Sequence, residues 1–179
     1  MLKKALRIKY KDLRKPLSEV ELDEKSLAIA NAVLTLPIWD NTYFHVFLPI
    51  TEHKEVNTEF ILHLLAGKDK EIVVSKSDFQ TRKMTHFLLT DNTKIKKNVY
   101  NIPEPVNGLE VPANKIEVVF IPLLAFDKKG HRVGYGKGFY DLFLSECTPE
   151  VIKIGLSFFD AEDLIEDVYD NDVQLDYCV

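Results

Sequence analysis

Apolar positions recur along this chain with two different periods, and the changes of period mark out its elements. Leu2, Leu6, Ile8 and Leu13 form a ragged helical stripe among bases, and Lys15-Pro16 ends it, because a residue before proline avoids helical dihedrals. Ser18 with Glu21 makes a capping box ahead of "LDEKSLAIANAVLTL", a second helix that Pro37 closes. The period then shortens. "YFHVFL" (43–48) predicts a buried strand, "NTEFILHLLAG" (57–67) a helix capped by Asn57 and stopped by Gly67, and "EIVVS" (71–75) another strand, which together make a βαβ unit. "THFLL" (85–89) and "IKKNVY" (95–100) predict further strands, and "IEVVFIP" (116–122) a central strand bounded by Pro122. A helix over 139–146, a strand "VIKIGLSF" (151–158) and a last strand within "VQLDYCV" (173–179) complete the pattern.

Strands alternating with helices predict a layered α/β fold with a largely parallel sheet, and 179 residues without a linker or repeat predict a single domain spanning 1–179. An apolar share of 46% and a charged share of 28% exclude a disordered or fibrous chain. The longest apolar run, "VVFIPLLAF", is too short to span a membrane, and nothing after the basic start resembles an export signal, so a cytoplasmic protein is expected. Cys147 and Cys178 make no disulfide framework and have no zinc spacing, which predicts two reduced thiols. The five histidines, at 45, 53, 63, 86 and 131, have no ligand spacing either, and core or surface roles are expected for all of them. Trp39 is expected to pack.

Charge changes the picture more. The net charge of −5 argues against a nucleic-acid partner, yet residues 1–16 carry seven bases against Asp12 alone, while residues 159–179 carry eight acids and no base. These runs are either two solvated surfaces or the anion-binding and cation-binding sides of one site.

Four of the seven glycines fall in "GHRVGYGKGFYDLFL" (130–144), just after the central strand, where ligands of open α/β sheets usually bind. Alternating Gly134, Gly136 and Gly138 allow backbone N–H groups to approach an anion, the helix beginning near Phe139 directs its positive end to the same place, and Arg132 and Lys137 add full charges. A phosphate cradle and a plain structural turn both fit. The patterns of a P-loop and of a dinucleotide-binding loop are absent. Asp141 in the first helical turn is either a dipole partner or a magnesium ligand beside a phosphate, with a second carboxylate available from Asp170, Asp172 or Asp176.

Across nearly the whole chain, "KKALR", "FLPITEHKEVNTEFI", "NIPEP", "VVFIPLLAFDKKGHRVGYGKGFYD", "IGLSF" and "NDVQLD" occur in an order and spacing that resemble the 5-formyltetrahydrofolate cyclo-ligase family. The resemblance implies a layered α/β/α domain similar to the sugar-phosphate isomerase and coenzyme A transferase group, and an ATP- and Mg2+-dependent conversion of 5-formyltetrahydrofolate to 5,10-methenyltetrahydrofolate. It implies that Lys3 and Arg7 meet ATP together with Arg132, Gly134, Tyr135, Gly136, Lys137, Gly138, Phe139 and Tyr140. Within that loop Arg132, Lys137 and Tyr140 take the catalytic roles. By the same resemblance Leu48 and Glu55 border the folate together with Tyr135 to Phe139, Glu52 being the alternative carboxylate, and Asp141 and Asp172 hold magnesium. Tyr135 stands where many members carry arginine, and Phe139 where they carry tyrosine. Small-molecule substrates, no nucleic-acid or membrane partner and a monomeric state are the accompanying expectations. The alternatives are an isomerase or acyl transferase of the same fold acting on a phosphorylated metabolite, or a non-catalytic nucleotide-binding module.

Overall fold

The computed structural model describes every residue, Met1–Val179. Two helices come first, α1 (Lys3–Arg14) and α2 (Glu19–Leu34), followed by β1 (Tyr43–His45), α3 (Glu59–Gly67), β2 (Glu71–Ser77) and β3 (Met84–Leu88). Short strands β4 (Ile95–Lys97) and β5 (Pro103–Pro105) precede β6 (Val118–Pro122), and β7 (Ala125–Phe126) and β8 (Arg132–Val133) form a hairpin ahead of α4 (Phe139–Glu146). The chain finishes with β9 (Ile152–Leu156) and β10 (Tyr177–Cys178).

Six strands make one sheet in the order β10-β9-β6-β1-β2-β3, parallel except for β3, which returns antiparallel to β2. Register explains the layering. Phe44 is level with Ile72 and Val118, and all three point into a core filled by Ile29, Ala30 and Val33 of α2 and Ile61 and Leu65 of α3. One residue on, His45 is level with Val73 and Val119 on the other face, where Phe143 and Leu144 of α4 pack. Alternation along the strands thus supplies two opposite cores, and a mixed, mostly parallel sheet with helices around it results. Trp39 stacks on Phe44 at 5.7 Å, in the packing role expected of it.

Several expectations need correction. In α1 only Leu6 of the expected stripe is buried; Leu2, Ile8 and Leu13 are exposed, and the inward face is Lys3, Leu6, Tyr10 and Arg14. The helix does stop at Arg14, but Lys15 keeps helical dihedrals (φ −52°, ψ −45°), so the stop comes from Pro16, which has no N–H to continue the ladder. The third helix starts at Glu59 rather than 57, although Asn57 Oδ1 does accept from the Glu59 N–H at 3.1 Å. Gly67 is its last residue, and the left-handed position beyond it is Asp69 (φ 55°). The strand expected over 95–100 pairs only as β4, outside the main sheet, because Asn98 Oδ1 gathers the Tyr100 and Ile102 N–H groups into a turn. Strand β1 is shorter than 43–48: the ladder ends near Val46, and Phe47 and Leu48 swing out toward a cavity.

Candidate active site

The chain runs from β1 through α3 to β2 on one side of the sheet centre and from β6 through α4 to β9 on the other, so β1 and β6 flank the point where the winding reverses. A crevice at strand carboxyl ends follows from that topology. It is occupied by a cavity of about 820 Å³, floored by His45, Ser75 and Pro122 from the ends of β1, β2 and β6. Lys3, Arg7, Leu48, Glu55, Arg132, the loop from Gly134 to Asp141, and Asp172 all line it, whereas the alternatives Glu52, Asp170 and Asp176 do not.

One wall is charged. α1 presents Lys3 and Arg7 one turn apart on its inner face. Lys3, almost fully buried, pairs with Asp172 and donates its backbone N–H to Asp167 at 2.7 Å. The basic start and the acidic tail therefore pack on each other, with Lys9 on Glu162 at 2.5 Å as a second tie. Arg7 Nε donates to the Gly134 carbonyl at 2.9 Å, and its guanidinium lies flat on Gly136, where a methyl group would come within 3.3 Å. Gly136 (φ 90°) and Gly138 (φ 76°) hold the left-handed conformations that bend the loop into α4, leaving Lys137 exposed between them with no ion pair. Arg132 donates to Asp141 Oδ1 at 2.8 Å and to the Val173 carbonyl at 2.6 Å. Against the opposing pull of burial, the Lys3 ammonium and the Tyr169 N–H hold the Asp172 carboxyl below its usual range.

Lys3, Lys4, Arg7, Arg132 and Lys137 thus face Asp141, Asp167 and Asp172, a surplus of positive charge suited to a polyphosphate. Asp141 Oδ2 and Asp172 Oδ1 accept no hydrogen bond from the protein. No cluster of three or more ligating side chains exists here or elsewhere. Two free carboxylate oxygens on a wall rich in cations nevertheless fit magnesium, which takes few protein ligands and fills the rest of its shell with waters and phosphate oxygens.

The opposite wall is buried. Glu55, 8% exposed, accepts from the Ile50 N–H at 2.7 Å. Burial raises its carboxyl above the usual range, while the Ile50 amide, Arg14 and Tyr135 pull it back. Glu52, by contrast, is half exposed on a neighbouring surface cleft, 3.6 Å from Lys97. Burial likewise pushes the Tyr135 and Tyr140 phenols up, with the Glu55 charge adding to it. At the rim Phe79 meets Phe139 edge-on at 5.0 Å and Tyr100 at 4.4 Å, offering an apolar surface to a flat ring.

Sequence reasoning passed over three parts of this site. Arg14 counted only as charge, although positions 3, 7 and 14 share one helical face, a signal that cation spacing alone would have revealed. His45 and His86 were expected in core or surface roles, and both are core residues. They share one hydroxyl, however: His45 Nε2 and His86 Nδ1 each lie 2.6 Å from Ser75 Oγ, a bridge across three strands that no local spacing announces. Phe79, Tyr100 and Tyr169 lie in loops without a pattern.

The family model for the 5-formyltetrahydrofolate cyclo-ligase family matches residues 1–177. A 5-formyltetrahydrofolate cyclo-ligase of Mus musculus is 30% identical over 154 residues, 82% of this chain and 75% of its own length, and one of Haemophilus influenzae is 27% identical over 160 residues, 86% and 83% respectively. The solved 5,10-methenyltetrahydrofolate synthetase of Aquifex aeolicus superposes with a TM-score of 0.82 at 28% identity, covering 99% of this chain and 89% of that one. The Mycoplasma pneumoniae synthetase gives 0.75 at 27%, covering 99% and 98%.

Proposed function

Because the chain belongs to the 5-formyltetrahydrofolate cyclo-ligase family, a family of ligases, we propose that its cavity binds ATP and 5-formyltetrahydrofolate together and closes the folate ring to 5,10-methenyltetrahydrofolate. The observation that carries the reading is the convergence of Lys3 and Arg7 from one end of the sequence with Arg132 to Asp141 from the other on a single cavity large enough for two ligands.

A formyl amide is a poor electrophile, and its oxygen is a poor leaving group. Moving the γ-phosphoryl of ATP onto that oxygen remedies both: the bond from the γ-phosphorus to the bridging oxygen breaks, ADP departs, and the formyl carbon becomes an imidate phosphate. N10 then attacks this carbon, loses its proton, and inorganic phosphate leaves with the C–O electron pair. The protein's part is placement and charge neutralisation. Lys3, Arg7, Arg132 and Lys137 spread over the phosphates, Gly134, Gly136 and Gly138 let the backbone come close, and Phe139 and Tyr140 separate nucleotide from folate. Glu55 accepts hydrogen bonds from the N–H edge of the pterin, and Leu48 packs on its face. Magnesium held by Asp141 and Asp172 would supply charge neutralisation between phosphate oxygens.

No helix is long and apolar enough to cross a membrane. We take residues 1–179 as one domain acting as a cytoplasmic monomer on small molecules, with no nucleic-acid or membrane partner. The test is to mix the protein with ATP, magnesium and 5-formyltetrahydrofolate and follow the methenyl chromophore with ADP release. Formation of both in equal amounts is expected, with Lys137→Ala and Asp141→Asn folded but at least about a hundredfold slower. ADP release that is indifferent to the folate would overturn the reading in favour of a nucleotide-binding module or another phosphoryl enzyme.

A further inference from the structure

Arg14 is 5% exposed, which for a guanidinium calls for an account. It lies in the last turn of α1 and does not line the main cavity, yet it ties together three segments that wall it. Nη2 donates to the Leu123 carbonyl at 2.6 Å just beyond β6, while Nη1 donates to the His53 carbonyl at 3.1 Å and to the Tyr135 hydroxyl at 2.9 Å. His53 opens the segment that delivers Glu55, and Tyr135 belongs to the glycine loop. The three acceptors are thus the end of a central strand, the Glu55 loop and the phosphate loop. Nε has no partner, so the side chain is not held by a complete set of structural bonds. The fixed point is the fork at Nη1 and Nη2.

We propose that Arg14 is a positioning residue for the folate: through the Tyr135 hydroxyl and the His53 carbonyl it sets the place of Glu55 and stands as its counter-charge. This rests on the folate assignment above. Glu55 otherwise faces the Ile50 amide, the Tyr135 phenol from the loop and the Tyr140 phenol from α4, none of them a cation, while Lys11 lies 5.8 Å from the centre of the Tyr135 ring on its outer side, near His53. Arg14 is the buried cation of this wall.

The experiment compares wild type, Arg14→Lys, Arg14→Met, Tyr135→Phe and the Arg14→Met/Tyr135→Phe pair in the coupled methenyl assay across pH. For Arg14→Met we expect KM for 5-formyltetrahydrofolate to rise about tenfold, with KM for ATP unchanged. The acid limb of kcat/KM for the folate should move to higher pH, because losing the positive charge makes Glu55 easier to protonate. Arg14→Lys should restore the limb in part, the charge returning without the fork. Tyr135→Phe, which removes one hydroxyl and leaves both carbonyls paired, should raise the same KM, and the double variant should cost less than the product of the singles. Equal rises in both KM values with an unmoved pH limb would mean a structural role only and overturn the proposal, as would multiplicative effects in the double variant. A wild-type protein that forms no methenyl product overturns the folate assignment and this inference together, whereas an active wild type matched by Arg14→Met overturns this inference alone.

Discussion

The two walls of the cavity solve opposite electrostatic problems. On the charged wall Lys3 and Arg132 are nearly buried too, but each is paired with a more open carboxylate, Asp172 and Asp141, so every charge there has an opposite one beside it and can exchange a protein partner for a ligand oxygen. On the buried wall Glu55 and Arg14 are nearly sealed and largely desolvated before any ligand arrives, and only Glu55 lines the cavity, where it offers a hydrogen-bond acceptor. On the function proposed above, the polyphosphate, whose charge outweighs the pairs it disrupts, goes to the first wall, and the neutral heterocycle, read by its donors, goes to the second.

Arg132→Met is the largest test of that division. It strips Asp141 of its ionic partner, leaving only the Val173 N–H on Oδ1, and leaves the Val173 carbonyl unpaired. A loss of about a thousandfold in kcat/KM is expected, seen in kcat and in KM for ATP, by analogy with arginines that balance charge in phosphoryl transfer. Steady-state kinetics with each substrate varied would settle it. If KM for the folate rises as much as that for ATP, the walls are not separate.

Next in size is acid sensitivity, which belongs to the floor beneath the buried wall. Burial depresses the His45 imidazole well below its usual value and takes His86 down to about 4 from 6.5. As pH falls below 6.5 the unfolded chain takes up these protons before the folded one does, so stability present above that pH is lost toward pH 4, by up to about 3 kcal/mol for His86. Thermal midpoints of wild type and His86→Gln between pH 4 and 7 would show it: the variant should be flatter, and parallel curves would refute the assignment.

A smaller effect separates shape from charge on the first wall. At Gly136 (φ 90°) an alanine methyl would be strained and would come within 3.3 Å of the Arg7 guanidinium. Gly136→Ala should cost about 1–2 kcal/mol in chemical denaturation and raise KM for ATP a few-fold through the displaced Arg7, with a smaller rise in KM for the folate, which the same loop borders.

The same contrast explains what the sequence disclosed. Helices and most strands follow from apolar periods, since those record which face is buried. The charged wall was legible in part: the basic start, the acidic tail and the glycine spacing with Arg132, Lys137 and Asp141 marked it, while Lys3, Arg7 and Asp172 were picked out of their charge runs only by the family resemblance. The inward face of α1 was misread because its buried positions are Lys3, Tyr10 and Arg14, which a search for apolar residues discards, while Leu2, Ile8 and Leu13 face outward. The buried wall was mostly silent for a related reason. A bridge such as His45, Ser75 and His86 joins residues from separate strands, and only strand pairing, which is long-range, brings them level.

Glu52 and Glu55 put that reasoning on its finest scale, because only His53 and Lys54 separate two carboxylates that sequence alone ranks as alternatives. Glu55 is buried in the cavity with the Ile50 N–H on one oxygen, so Glu55→Gln leaves Arg14 without its opposing charge and turns an acceptor toward a donor; kcat/KM for the folate should fall about a hundredfold. Glu52 is about half exposed, and its one ionic partner, Lys97 at 3.6 Å, is equally exposed. Water and salt screen such a pair, so after that discount Glu52→Gln should change stability by no more than about 0.5 kcal/mol and leave both KM values within error. A hundredfold loss in Glu52→Gln, with Glu55→Gln near wild type, would move the folate carboxylate to the outer cleft and dissolve the distinction between a buried wall and a charged one.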